Sequence, residues 1–60
     1  MSASQALWDK FRKAQKIKAG DAAFAYQHAI DLENKGKMKD AEWWEKMGDD
    51  AMPTEEHATR

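Results

Sequence analysis

Few residues of this chain have side chains that could do chemistry. His28 and His57 are its two histidines, and there is no cysteine. A helical metal pair needs ligands at i and i+3 or i+4. His28 with Asp31 meets that spacing, but no third ligand accompanies them, so His28 reads as a partly exposed helix residue and no metal or other cofactor is expected. Nucleophilic catalysis needs a hydroxyl or thiol beside a base. The hydroxyls Ser2, Ser4, Thr54 and Thr59 all sit near the chain ends. Asp49-Asp50 and Glu55-Glu56 are adjacent pairs, which point apart on a helix, and they read as solvated charge. There is no glycine-rich phosphate loop. These residues predict a non-enzymatic protein.

The three tryptophans say more. Trp43 and Trp44 are consecutive, so on a helix they diverge by about 100° and cannot share one narrow contact. A small monomer can hide one of them and leaves the other exposed. Met38, Met47 and Met52 lie on the same stretch, and interfaces favour Trp, Tyr, Met and Arg. A partner or dimer interface built from Trp8, Phe11, Trp43 and Met47 is therefore expected. Charge supplies the rival reading. Residues 9–18 carry Lys10, Arg12, Lys13, Lys16 and Lys18 against Asp9, a net of +4, while residues 21–60 carry five basic and ten acidic side chains, a net of −5. The five cations could grip phosphates, with Trp8 or Phe11 stacking on bases. Lys10, Lys13 and Lys18 do not share a helix face, however, and a solvated surface is preferred. The two oppositely charged parts could also attract each other, within one chain or between two.

The elements that hold these residues are helices. Gly20, Gly36 and Pro53 punctuate stretches rich in Ala, Lys, Glu, Met, Gln and Leu, with no Val and no alternating run. The pattern predicts an all-α fold: a helical hairpin plus an N-terminal helix, assembled as a dimeric bundle. Helices are expected at about 4–18, 22–35 and 38–52, as one domain over 1–52, with a flexible polar tail at 53–60. Ser2 or Ser4 should cap the first helix, Gly20 should end it in a left-handed conformation, and Asp21 should cap the second. Ala22, Ala25, Ala29 and Leu32 make a mostly small face, widened by Phe24, Tyr26 and Ile30. Ala41, Trp44, Met47 or Gly48, and Ala51 form the stripe of the third helix. Trp44 should pack against Ala25, Ala29 or Leu32, and Trp43 should reach helix one or a second chain.

Residues 25–53, AYQHAIDLENKGKMKDAEWWEKMGDDAMP, resemble one tetratricopeptide unit through Ala29, Leu32, Gly36, Ala41, Trp44, Gly48 and Pro53. The shorter AIDLENKGKMKDAEWW is similar to two groups of small enteric-bacterial regulators, the PerC-like activators and the compact negative regulators of AraC-type activators. Ala29, Leu32, Glu33, Gly36, Ala41 and Trp44 carry that likeness. The resemblance implies a small regulatory protein acting through protein–protein contact on a host or regulatory protein. The size also suits an accessory early protein of a temperate phage or mobile element. A DNA-binding transcriptional modulator using the first helix is the alternative. The opening MSASQALWDKF lacks the apolar core of a signal peptide, and no run of eighteen apolar residues exists, so no membrane contact and a cytoplasmic location are expected.

Overall fold

The computed structural model describes residues 4–52, which form three helices and no strand. Helix α1 spans Gln5–Lys16, α2 spans Gly20–Asn34 and α3 spans Met38–Ala51. The expected tail at 53–60 and Ser2 lie outside the described residues. Among those described, no helix is long and apolar enough to cross a membrane.

Each helix end has a local cause. Ser4 is extended and its Oγ accepts a hydrogen bond from the Leu7 amide at 3.3 Å, satisfying one orphan donor of α1. The Ser4 amide donates to Glu33 Oε1 at 2.9 Å, which ties the start of α1 to the last turn of α2. The first turn departs from expectation. Lys18, not Gly20, takes the left-handed conformation, with φ 61°. The amide of Ala19 reaches back to the Ala14 carbonyl at 2.9 Å and that of Lys18 to Gln15 at 3.1 Å, the paired bonds of a Schellman closure. Helix α1 thus stops at Lys16 and frees Gly20 to open α2. Ala19 holds the cap position of α2 without a side-chain bond, and Asp21 sits inside its first turn, where its charge faces the positive end of the helix dipole. The second turn is as the glycine suggests: Gly36 has φ 80°, and Lys37 and Gly36 bond back to Leu32 and Glu33. Helix α3 ends at Ala51, and its cap Met52 is held extended by the proline that follows it in sequence.

The turn at Lys18 carries a testable cost. A left-handed conformation costs a residue with a Cβ about 1–2 kcal/mol. Lys18→Gly is expected to raise stability by about 1 kcal/mol, read as an increase in melting temperature with unchanged helix content.

Helix α2 is the middle element, and both others pack on it. Leu7 and Ala14 of α1 meet Ala22, Tyr26, Ala29 and Ile30 of α2, while Phe11, Ala19, Ala23, Trp44 and Met52 close the core's edges. The small residues Ala25, Ala29 and Ala41 are buried where α2 and α3 approach. No tryptophan is fully hidden. The largest fully buried side chains are Tyr26 and Leu7. Tyr26 lies one position off the small-residue stripe, and its ring occupies the place that a side chain at Gly48 would need. A Cβ built at Gly48 would stand 2.6 Å from Tyr26 Cε1.

Candidate functional site

Two clusters stand out, one polar and partly buried where the three helices meet, the other aromatic and open to solvent. The polar cluster begins with Tyr26. Its ring is 1% exposed, and its hydroxyl donates to Asp49 Oδ1 at 2.6 Å. Lys10 reaches across from α1, placing Nζ 2.7 Å from Glu45 Oε2 and 3.1 Å from Asp49 Oδ1. One residue from each of α1 and α2 and two from α3 therefore share a network. It is where the cationic and anionic parts of the chain meet, within one molecule. Asp49 is not merely solvated charge. It serves as the common acceptor for a buried phenol and an ammonium.

Burial first, then the hydrogen bond to Asp49 and the nearby carboxylate charges, push the Tyr26 phenol above its ordinary value of 10.0. The hydrogen bond to Glu45 leads in raising Lys10 above 10.5; partial burial opposes it, and Asp49 adds to it. Both groups hold their protons more tightly folded than unfolded. The native state then binds more protons at alkaline pH, and stability falls as pH rises. Their contribution is whole below about pH 10 and is lost progressively above it. Thermal melts across the alkaline range should show this decline, and Tyr26→Phe should make it shallower.

The second cluster covers the outer side of the α2–α3 hairpin. Phe24 and His28, one turn apart on α2, meet edge to face at a centroid distance of 4.5 Å. The His28 ring stacks on Trp44 at 4.6 Å and 24°. Trp44 in turn meets Phe24 at 6.3 Å and Trp43 at 5.1 Å, both edge to face. Phe24 is 58% exposed and Trp43 56%, so four aromatic rings form one continuous surface. Beside them Phe24, Gln27, His28 and Asp31 line an open groove of about 260 Å³. Trp43 contacts Trp44 here, while Trp44 is half-buried against the core and lies under His28.

The residues expected at an interface are divided by the fold. Trp43 and Met47 are exposed on α3 one turn apart. Trp8 and Phe11 pair on α1 at 6.0 Å; Trp8 is exposed at its margin and Phe11 packs against the core. Phe24, expected to widen the core face of α2, is exposed instead, and His28, expected as a partly exposed helix residue, joins it on the same surface. Their i,i+4 spacing was the available signal. The cations also separate. Lys10 is engaged with α3. Arg12 stands 3.8 Å from Asp9, while Lys13, Lys16 and Lys18 are exposed with no carboxylate within 4.0 Å among the described residues. Among those residues, no three metal-ligating side chains converge. Comparison with protein-family models, with curated proteins and with solved structures found no match for this chain.

Proposed function

We propose that this chain is a small non-enzymatic regulatory protein that acts by protein–protein contact through the aromatic face of α2 and α3. The observation that carries the reading is the continuous surface of Phe24, His28, Trp44 and Trp43, with two of its large rings more than half exposed. Contiguous exposed apolar surface marks interaction sites, and rings that already pack on one another lose little freedom when a partner covers them. The polar network around Tyr26 holds α2 and α3 in fixed register beneath that face. Its groups bond to one another across the helices, with Tyr26 alone buried, which suits positioning rather than catalysis.

The exposed cations Arg12, Lys13, Lys16 and Lys18 support a second reading, contact of α1 with nucleic acid. The engagement of Lys10 by Glu45 and Asp49 reduces the charge available for it. A photo-reactive residue at Gln27, beside the groove, tests the first reading in living cells. The expected result is a covalent adduct with a protein, lost when Phe24 and Trp43 are both alanine. Adducts with nucleic acid, or none, would overturn it.

A further inference from the structure

The groove beside the aromatic face is lined by two rings and two polar groups: Phe24, His28, Gln27 and Asp31. Its volume of about 260 Å³ falls below the about 300–1,000 Å³ of small-molecule sites, and it suits a single side chain. The rings have a firm backing, because His28 stacks on Trp44 at 4.6 Å and meets Phe24 at 4.5 Å. Asp31 is the unusual member. It stands exposed in the last turn of α2, where the negative end of the helix dipole disfavours a carboxylate. Charge around the groove has one sign. Every acidic or basic residue three or four positions from Phe24, His28 or Trp44 is an aspartate, namely Asp21, Asp31 or Asp40, and all three are exposed. Trp43 alone of the four rings has lysines at that spacing, Lys39 and Lys46. We infer that this groove receives an arginine side chain of a partner protein, its guanidinium on Asp31 and its stem across His28 and Phe24.

This inference rests on the proposed reading of the face as a protein-contact surface and names the chemistry of its occupant. At 1.5 Å per residue, Phe24 and Asp31 stand about 10.5 Å apart along the helix, with His28 between them. An arginine lying in that line keeps its methylenes against the rings and its charged head beyond them. The guanidinium presents paired donors to the Asp31 carboxylate, stacks on aromatic surface, and finds a further acceptor in the Gln27 amide oxygen. Lysine offers a compact, strongly hydrated ammonium without the paired donors. An apolar side chain would strip water from Asp31 and Gln27 without replacing its hydrogen bonds. A phosphate backbone would meet carboxylates of its own sign. Lys35 Nζ stands 3.1 Å from Asp31 Oδ2, with both side chains 60% exposed. A surface pair of that kind is worth little, so Lys35 is a weak internal competitor for the arginine.

Titration of the chain with the terminally blocked tripeptide Gly-Arg-Gly, followed by nuclear magnetic resonance, tests the occupant. The ring protons of Phe24 and His28 should shift saturably at a concentration on the order of a few millimolar, while those of Trp8 on α1 stay in place. Citrulline in place of the arginine keeps the shape and loses the charge, and should weaken binding about tenfold. Lysine in its place should weaken binding about fivefold. Asp31→Asn should weaken binding of the arginine tripeptide about tenfold, whereas Lys35→Gln removes the competitor and should tighten it about threefold. Both positions are exposed, so the fold is retained. A general loosening of α2 does not produce changes of opposite sign. In cells, the partner segment captured by the photo-reactive residue at position 27 should carry an arginine beside the point of attachment. No binding of the arginine tripeptide, an equal response to citrulline or lysine, an unchanged affinity in Asp31→Asn, or weaker binding in Lys35→Gln would overturn the inference. If the tripeptide fails while the probe captures a protein, the occupant is wrong and the contact surface stands. If the probe captures no protein, both fall.

Discussion

Tyr26→Ala is expected to leave most of the chain unfolded at room temperature. Tyr26 is the largest fully buried side chain, and truncating a buried aromatic costs about 3–5 kcal/mol. A chain of this length has a total stability of about 3–9 kcal/mol, at 0.05–0.15 kcal/mol per residue. The loss therefore consumes much of the whole. It also removes the phenol that donates to Asp49, leaving Lys10 as that carboxylate's remaining partner in the cluster. Gly48→Ala approaches the same contact from the other side. Alanine gains about 1 kcal/mol of helix propensity over glycine. Against that, the new Cβ would lie within 2.9 Å of three atoms of the Tyr26 ring. The ring cannot withdraw, because its hydroxyl is held by Asp49 and its surroundings are filled. Overpacking of this kind costs about 1–3 kcal/mol, and the short contacts to three ring atoms place this case at the upper end, so the net effect is a loss of up to about 2 kcal/mol. In a domain this small that lowers the melting temperature by up to about 8–16 °C. Circular dichroism melts of the two variants check both statements. A Gly48→Ala variant more stable than wild type would show that the ring has room.

Trp43→Ala should do the opposite, sparing the fold and removing the contact. Trp43 is more than half exposed and touches the rest of the molecule through its edge-to-face pairing with Trp44. Such a pair is worth about 0.5–1.5 kcal/mol, so helix content should be retained and the melt only slightly lowered. At an interface an exposed Trp is a frequent source of binding energy, and its loss costs about 2 kcal/mol or more, a thirtyfold or greater weakening. Trp44→Ala separates folding from binding less cleanly. Trp44 packs on the core and supports both His28 and Phe24, so its loss should lower stability and collapse the aromatic surface together. Paired melts and binding titrations distinguish the two. If Trp43→Ala unfolds the chain, the residue belongs to the fold and not to the contact.

The contrast between these residues shows how much was legible beforehand. Three helices follow from the glycine and proline punctuation and the helix-forming composition between them. Gly36 is read correctly because a left-handed closure favours glycine. The closure at Lys18 is not legible for the same reason, since nothing about lysine announces positive φ, and the neighbouring Gly20 draws the boundary to itself. The consequence is local: α1 is shorter, α2 begins earlier, and Asp21 lies inside the helix instead of capping it. Tyr26 is expected on the apolar arc that widens the α2 face and is buried there, but the partner of its hydroxyl is not legible. It sits beside the stripe of Ala22, Ala25 and Ala29, and its polar hydroxyl argues against burial until Asp49 is brought alongside by the α2–α3 register. Gly48 held a faint signal, because a glycine inside a helix costs about 1 kcal/mol and usually has a packing reason. Which ring it admits depends on tertiary contact. The cationic stretch was legible as composition, but the selection of Lys10 by Glu45 and Asp49 required the positions of both outer helices. On the aromatic surface, Trp43 and Met47 were apparent from the crowding of large residues on one helix. Phe24 was hidden because the whole apolar arc of α2 looked like core, while His28, legible as a partly exposed helix residue, gave no sign of its stacking on Trp44.

Oxidative footprinting of Trp43 and Met47 most directly tests whether the aromatic face is a covered contact surface. The chain would be labelled once inside its native cells and once as a dilute purified sample, with the products read by mass spectrometry. Trp8, on α1 and away from that face, supplies the internal reference. The proposed contact predicts that Trp43 and Met47 are strongly protected in cells while Trp8 is labelled to the same extent in both samples. Equal labelling of Trp43 in cells and in dilute solution would contradict it.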